Sequence, residues 1–180
     1  RHAETIYRES HGAFDPTVAP LVNAWGFGFK EGNGVDDATI DSLQALVGMH
    51  RVTLADGHIS KEDERIMLDF SAIAKGYGSD CVARVFDRCG VKNYMVEIGG
   101  EVVTKGNNNK GGMWTIGISK PTDNPTASNN ELQEIIAISG KSMATSGNYR
   151  NFREVNGQKV AHTIDPRTGY PVQHSLLSAT

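Results

Sequence analysis

The sequence predicts an α+β protein with a mostly antiparallel sheet packed with a few helices. Three observations lead to this prediction. Most periodic segments read as strands, turn sequences join several of these strands directly, and the helical segments stand in separate blocks. A regular alternation of strand and helix, which would predict a parallel sheet, is not seen. A chain of 180 residues can bury a sizeable core, and this length favours one domain.

The first part of the chain carries short helical segments. Residues 1–10 fit the end of a helix, and the stretch "AFDPTVAPLVNAWGFGF" at 13–29 reads as an irregular apolar loop because prolines and glycines interrupt it. Apolar residues at helical spacing predict a short helix over Ile40–Gly48. Asp36 or Asp37 is its expected N-cap.

A hairpin and a longer helix follow. The sequence "ADGH" at 55–58 is typical of a hairpin turn, and the apolar run 65–70 predicts a strand. Helical spacing of apolar residues predicts a helix from about Ser71 to Arg88, which Gly90 would end.

Strands dominate the rest of the chain. The segment 93–106 reads as two strands around a pair of glycines, and the alternation of Trp114, Ile116 and Ile118 predicts a half-buried strand. Further strands or strand-like segments are predicted at 131–139, at 142–152, in a hairpin around 153–160, and at 161–172, where Pro166 breaks the strand.

Composition excludes several classes of function. A net charge of −3 and a pI near 6.1 give no electrostatic case for nucleic acid or an anionic membrane surface as a partner. No apolar run approaches the roughly 18 residues of a membrane-spanning helix. Cys81 and Cys89 would lie about 12 Å apart on one helix, too far for a disulfide, and are expected to pack as small hydrophobic residues.

The segment "DFSAIAKGYGSD" at 69–80 raises the question of whether its helix start binds a ligand. Gly76 and Gly78 lie inside the helical pattern, where each costs roughly 1 kcal/mol relative to alanine. The helix start would favour an anion such as a phosphate, with Asp69 as a cap or ligand contact and Lys75 reaching back. Alternatively, Asp69 only caps the helix and Lys75 is solvated, which the local pattern slightly favours. The glycines allow close approach either of a ligand or of a neighbouring strand.

Two further segments have both a functional and a structural interpretation. His162 precedes a polar turn that Pro166 constrains, and histidine there could serve as a general base or as an ordinary hydrogen-bonded residue. Thr145, Ser146 and Gly147 suit contact with a phosphate or flavin, and equally suit a turn. No nucleophile-elbow pattern surrounds Ser146, and the glycine-rich stretches match no phosphate-loop motif.

Four segments, taken together and in order, resemble the ApbE family of FAD:protein FMN transferases. They cover nearly the whole chain and lie at 12–28, 69–80, 94–121 and 144–172. The resemblance implies a T-fold-like α+β architecture. It also implies that 1–180 is one domain of this type that lacks the family's N-terminal and C-terminal portions, including an aspartate and a threonine that bind metal.

The resemblance further implies an enzyme that uses FAD and Mg²⁺. Such an enzyme moves FMN from FAD to a threonine hydroxyl of a client protein and releases AMP. Alternative activities are an FAD pyrophosphatase, which yields FMN and AMP, and a non-catalytic flavin-binding protein. The expected client is a subunit of a membrane redox complex, and relatives are often periplasmic or inner-membrane lipoproteins.

The resemblance also implies roles for individual residues. His162 would be the catalytic base or organise the transition state, and the backbone carbonyl of Ala72 would bind Mg²⁺. The residues expected to contact FAD are Gly12, Ala13, Phe14, Asp69, Lys75 and Ile164.

Overall fold

The computed structural model describes residues 1–28, 35–121, 131–148, 152–155 and 158–180. The chain divides into two compact units. Unit 1 comprises Arg1–Phe70 and Phe152–His174, and unit 2 comprises Ser71–Asn151 and Ser175–Thr180. Each unit is described by itself.

Helices and antiparallel strands make up both units, which confirms the predicted α+β class. The helices are α1 (His2–Glu9), α2 (Ala19–Ala24), α3 (Asp37–Gln44) and α4 (Ser71–Arg88), with 3₁₀ turns at Pro16–Val18 and Met49–Arg51. The strands are β1 (Val52–Ala55), β2 (His58–Lys61), β3 (Tyr94–Ile98), β4 (Glu101–Lys105), β5 (Trp114–Ser119), β6 (Leu132–Ile138), β7 (Ser142–Met143), β8 (Ser146–Gly147), β9 (Phe152–Val155), β10 (Gln158–Ala161) and β11 (Ser178–Ala179).

The core of unit 1 forms where α2 and α3 meet the segment after β10. Leu21, Ile40 and Ile164 are buried together there. The prediction that 13–29 is an irregular loop is therefore wrong for most of its length, because a 3₁₀ turn and α2 occupy it. Pro16 and Pro20 each stand at the start of a helical turn, where a missing N–H costs no hydrogen bond.

Helix α3 ends earlier than predicted. Asp36 is its N-cap and accepts a hydrogen bond from the backbone N–H of Thr39 at 2.8 Å, which confirms one of the two proposed caps. The α-helical pattern stops at Gln44, and the backbone N–H of Val47 bonds back to the Gln44 carbonyl. Such i to i+3 bonds tighten the end of a helix, so the helix does not continue to Gly48.

The predicted β1–β2 hairpin is confirmed, whereas the predicted strand at 65–70 is wrong. Strands β1 and β2 pair antiparallel, with Ala55 opposite His58 across the turn. Residues 66–70 form no strand. Ile66 is buried, and its carbonyl accepts a hydrogen bond from the Lys61 ammonium at 2.8 Å. The backbone N–H of Asp69 donates to the Pro16 carbonyl, so single hydrogen bonds rather than a strand ladder hold this segment.

Unit 2 is built on the β3–β4–β7 sheet, with separate β5–β6 and β8–β11 pairs. Helix α4 packs on β3 and β4, and Ala83, Tyr94 and Val96 form a buried cluster between them. All of these strand pairs are antiparallel. The predicted alternation along β5 is confirmed, since Trp114, Ile116 and Ile118 are half-buried and their neighbours Thr115 and Gly117 are exposed.

Helix α4 has the predicted bounds but buries small residues rather than its large apolar ones. Ser79 and Ala83 are buried, whereas Ile73, Tyr77 and Val85 are exposed. Phe86 is the large apolar residue of α4 that packs, half-buried, against the Ala83–Tyr94–Val96 cluster. A Cβ on Gly78 would lie 3.2 Å from Cδ1 of Ile98 on β3, so this glycine admits a neighbouring strand.

Cys81 and Cys89 are both free thiols, as expected. Cys81 is half-buried, but Cys89 is exposed, so the expectation that it packs as a small hydrophobic residue is wrong. Among the described residues, no helix has the length and apolar character needed to cross a membrane.

Candidate functional site

The loop after α1 presents the first three expected FAD contacts. The backbone N–H of Gly12 bonds to the Tyr7 carbonyl at 2.9 Å, which ends the helix and turns the chain. The N–H of Phe14 donates to the Ser10 hydroxyl at 3.0 Å. Ala13 is exposed, while Gly12 and Phe14 are half-buried. The loop is thus fixed by its own hydrogen bonds and keeps surface open for a ligand.

A buried carboxylate that the sequence analysis did not single out anchors this loop. Asp15 accepts hydrogen bonds on Oδ1 from the backbone N–H of Thr17 at 2.8 Å and from its hydroxyl at 2.6 Å. Its Oδ2 accepts from the Met49 N–H at 3.2 Å, and the Thr17 hydroxyl accepts from the Gly48 N–H at 2.6 Å. An Asp-Pro-Thr sequence is a typical helix-capping signal, so this role was accessible from the sequence.

Asp69 lies beside this anchored turn. Its backbone N–H donates to the Pro16 carbonyl at 2.7 Å, and its side chain is half-buried. Unit 1 therefore places Asp69 close to the segment that follows Phe14. Two of the expected FAD-contacting regions, far apart in sequence, are joined by a backbone hydrogen bond.

His162 and Ile164 follow β10 in unit 1 but have different environments. His162 is half-buried, and its ring and that of Phe27 make a T-shaped contact with 6.4 Å between ring centroids. Ile164 is 7% exposed and belongs to the core with Leu21 and Ile40. Contact of Ile164 with a ligand would therefore involve its backbone rather than its side chain.

The turn after Ile164 is fixed by several tertiary hydrogen bonds. The Trp25 indole N–H donates to the Gly169 carbonyl at 2.9 Å, and the Gln44 amide donates to the Pro166 carbonyl at 2.8 Å. The Tyr170 hydroxyl lies 2.5 Å from a carboxylate oxygen of Asp37 on α3. These contacts tie both ends of the turn to α2 and α3, and so restrict where His162 can lie.

Hydrogen bonds shift the pKa values of the ionisable groups of this turn, among them Asp165 and Tyr170. The Arg167 guanidinium bonds to both carboxylate oxygens of Asp165 and holds the pKa of that carboxyl below its usual value. The hydrogen bond to the Asp37 carboxylate raises the pKa of Tyr170, because ionising the phenol would remove the donated proton.

Trp25 and Phe27 serve the core of unit 1. Both are partly buried and pack against the Leu21–Ile40–Ile164 cluster, and Trp25 also contacts the ring of Tyr170. The alternation of Trp25, Phe27 and Phe29 in the sequence is compatible with stacking on a planar ligand, although core packing is the usual role of aromatic residues, and the packing of Trp25 and Phe27 fits that usual role. Phe29 lies outside the described residues.

Ala72 and Lys75 stand on the first turns of α4 in unit 2, and both are exposed. The Lys75 ammonium lies 3.1 Å from Oε1 of Glu101 and donates to the Gly99 carbonyl at 3.1 Å. Lys75 is thus not merely solvated. Glu101 was missed because nothing in the sequence distinguishes a buried glutamate at a strand start from an exposed one.

Thr145, Ser146 and Gly147 form part of a strand pair. Ser146 and Gly147 pair with Ala179 and Ser178, and the Thr145 and Thr180 hydroxyl oxygens lie 2.9 Å apart. The segment is therefore structural but forms a strand pair rather than the turn that its residue types allowed.

The described residues alone do not make a complete metal site. Across these ranges, no group of three or more histidine, cysteine, aspartate or glutamate side chains is arranged to hold an ion. A carbonyl such as that of Ala72 is an acceptable Mg²⁺ ligand, but the ion needs an octahedral set of oxygens. One carbonyl therefore supplies a single position in such a set.

Comparison with known proteins supports the resemblance seen in the sequence. The family model for the ApbE family matches residues 1–180. FAD:protein FMN transferase of Haemophilus influenzae is 43% identical over 182 residues, covering 97% of this chain and 51% of that protein. The chain therefore spans about half the length of the curated relatives it matches.

Solved structures agree with this comparison. The apo form of the flavinyl transferase ApbE of Pseudomonas stutzeri matches with a TM-score of 0.84 and 35% identity, covering 98% of this chain and 54% of that one. Flavin transferase ApbE from Vibrio cholerae matches with a TM-score of 0.83 and 39% identity, covering 98% of this chain and 55% of that one. On its sequence and its fold, this chain belongs to the ApbE family.

Proposed function

We propose that this protein transfers FMN from FAD to a threonine hydroxyl of a client protein and releases AMP. The observation that carries the proposal is the 43% identity to the FAD:protein FMN transferase of Haemophilus influenzae across 97% of the chain. We also propose that 1–180 is one functional part of such an enzyme. The remaining portions of the family's domain would lie outside it.

In this proposal the anchored groups of unit 1 bind FAD. The Gly12–Phe14 loop offers backbone groups and the half-buried Phe14 ring, and Asp69 offers a carboxylate beside the same turn. Ile164 contributes backbone, because its side chain is in the core. From unit 2, Lys75 donates a hydrogen bond to an oxygen of FAD. Fixed groups of this kind lose little entropy on binding, which favours affinity.

His162 is proposed as the general base. A threonine hydroxyl is a weak nucleophile, so a base that takes its proton accelerates attack. The hydroxyl oxygen forms a bond to the FMN-side phosphorus, the bond from that phosphorus to the bridging oxygen breaks, and AMP leaves with the electron pair. The hydroxyl proton passes to His162, whose ring is held next to Phe27. Histidine is the side chain that most often serves as a general acid or base in enzymes.

Mg²⁺ is proposed as the partner of the diphosphate, with the Ala72 carbonyl as one ligand. A divalent cation would neutralise charge that develops on the phosphoryl oxygens. Ala72 is an exposed residue on the first turn of α4. By resemblance, an aspartate and a threonine of the family would supply further ligands.

The client is proposed to be a subunit of a membrane redox complex that carries the acceptor threonine. By the same resemblance, the enzyme would act in a bacterial periplasm, or there as an inner-membrane lipoprotein. Fractionation of cells that produce the complete protein, followed by immunodetection, tests the compartment. Recovery in the cytoplasm would contradict it.

The activity is tested by incubating the complete protein with FAD and Mg²⁺, with and without a peptide that contains the acceptor threonine. We expect AMP release together with a peptide mass increased by that of FMN less one water. AMP release at the same rate without peptide would show an FAD pyrophosphatase instead. Tight FAD binding without AMP release under either condition would show a non-catalytic flavin-binding protein.

A further inference from the structure

The ammonium group of Lys75 is held by two acceptors of unit 2. Its Nζ atom lies 3.1 Å from Glu101 Oε1 and 3.1 Å from the Gly99 carbonyl oxygen. A lysine ammonium carries three N–H donors. Two are therefore directed at fixed partners, and one is left for a further acceptor.

The turn between β3 and β4 is shaped to hold this lysine. Gly99 and Gly100 have φ values of +56° and +93°, a region that favours glycine. A Cβ on Gly99 would lie 2.8 Å from Cδ of Lys75, so the lysine stem packs directly over the turn. The direction of the Lys75 side chain is thus set by the packing of its aliphatic stem as well as by the contacts of its ammonium group.

Stability does not account for a glutamate at position 101. The Glu101 side chain is only 11% exposed, whereas that of Lys75 is 47% exposed. In the part of the chain that the structure describes, the buried Oε2 atom of Glu101 has no hydrogen-bond partner. Burying a carboxylate with one oxygen unpaired is costly, and an apolar residue of similar size is often as stable or more so. This cost indicates a role other than folding.

We propose that Glu101 is a positioning residue for substrate binding. It fixes the Lys75 ammonium and balances its charge, so that the remaining N–H is presented to an oxygen of FAD. This inference rests on the proposed contact between Lys75 and FAD. Glu101 itself acts through Lys75 rather than by touching the substrate.

A second ion pair joins the same two elements and provides a matched control. Asp87 on α4 lies 2.6 Å from the Lys105 ammonium on β4, and both side chains are 45% exposed. This pair also links helix to sheet but lies more than three helical turns from Lys75 along α4. If FAD affinity depended only on the attachment of α4 to the sheet, removing the Asp87 carboxylate should weaken FAD binding as well.

The test is a double-mutant cycle on FAD affinity, measured by flavin fluorescence titration of the complete protein. The variants are Glu101→Gln, Lys75→Met and their combination, with Asp87→Asn as the control. We expect Glu101→Gln and Lys75→Met each to raise the FAD dissociation constant by about tenfold, a typical size for coupled contacts. The double variant should bind no more weakly than Lys75→Met, and Asp87→Asn should bind normally.

Failure of the proposed function and failure of the Glu101 inference give different results in these titrations. If the wild type does not bind FAD, the proposed function fails and this inference with it. If Lys75→Met weakens binding but Glu101→Gln does not, the inference alone is overturned. A further loss when Glu101→Gln is added to Lys75→Met would also overturn it, because Glu101 would then act independently. An equal loss of affinity in Asp87→Asn would show a general attachment role instead.

Discussion

The backbone N–H of Asp69 donates a 2.7 Å hydrogen bond to the carbonyl oxygen of Pro16. This bond joins the residue that stands two positions before α4 to the turn that follows the Gly12–Phe14 loop. The turn is itself fixed by the buried Asp15 carboxylate. Two segments more than 50 residues apart are thus held together by backbone and buried polar contacts, and both are proposed to contact FAD.

Replacing Asp15 by alanine should loosen this arrangement. The change leaves the Thr17 and Met49 N–H groups without their acceptor, and we expect the free energy of unfolding to fall by about 2–3 kcal/mol. FAD affinity should fall as well. Urea denaturation and flavin titration measure the two effects. Asp36→Ala is the control, because this exposed cap of α3 should cost less stability and leave FAD affinity unchanged. Equal effects of the two changes would contradict the anchoring role.

Asp69→Asn separates a ligand contact from a structural role. The backbone bond to Pro16 is retained in this variant, so the fold should be preserved. If the carboxylate accepts a hydrogen bond from FAD, we expect the dissociation constant to rise about tenfold or more, since bonds to charged groups are strong. The control is Asp80→Asn, an exposed acid on α4. Normal FAD binding by Asp69→Asn would limit Asp69 to a structural role.

His162→Ala should slow the transfer step more than it weakens binding. Loss of a general base typically lowers the rate by about 10²- to 10⁴-fold, while FAD affinity should change little because the ring is proposed to act on the threonine proton. Single-turnover transfer to the peptide and flavin titration measure these quantities. His58→Ala on the exposed β2 strand is the control. Unchanged transfer by His162→Ala would remove this residue from the mechanism.

The sequence predicted the features that depend on local pattern. The β1–β2 turn, the start of α4 and the strands around Gly99 follow from spacing and turn residues, and all three are observed. The segment 65–70 was assigned wrongly because an apolar run does not reveal whether a partner strand is available.

The candidate site also has parts that could be predicted from the sequence and parts that could not. Its residues were selected by resemblance, whereas the groups that hold them depend on tertiary contacts. Glu101 supports Lys75 from a different element, and Asp15 reaches Met49 across 34 positions. Spacing in the sequence cannot reveal such partners, because they meet only once the chain has folded.

The Asp165–Arg167 pair should make stability depend on pH in acid. The hydrogen bonds from Arg167 lower the pKa of Asp165 in the folded protein below its value of about 3.9 in an unfolded chain. A lowered carboxyl pKa stabilises the fold above the unfolded value, and this contribution is lost as the pH falls through the folded value. Asp165→Asn should therefore unfold at lower urea concentration than wild type at pH 7, and the difference should narrow below pH 3.9. In an Arg167→Ala background, the difference in urea midpoint that Asp165→Asn causes should be smaller. A difference between wild type and Asp165→Asn that stays constant with pH would contradict a stabilising role of the Asp165–Arg167 pair.

Gly169 is expected to tolerate no side chain. Its φ of +78° strains any other residue, and a Cβ would lie 2.7 Å from both Ile40 Cγ2 and Gln44 Oε1. Gly169→Ala should reduce the free energy of unfolding by about 2–4 kcal/mol, from backbone strain and overpacking together. Gly90→Ala separates the two contributions, because its φ is +76° and no atom lies within 4 Å of the added Cβ, so it should cost about 1 kcal/mol from strain alone. Urea denaturation compares the variants. Because the Gly169 carbonyl accepts from Trp25 in the turn after His162, the Gly169 variant should also slow FMN transfer, whereas the Gly90 variant should not. Equal stability losses in the two variants would show that packing against α3 does not restrict this turn.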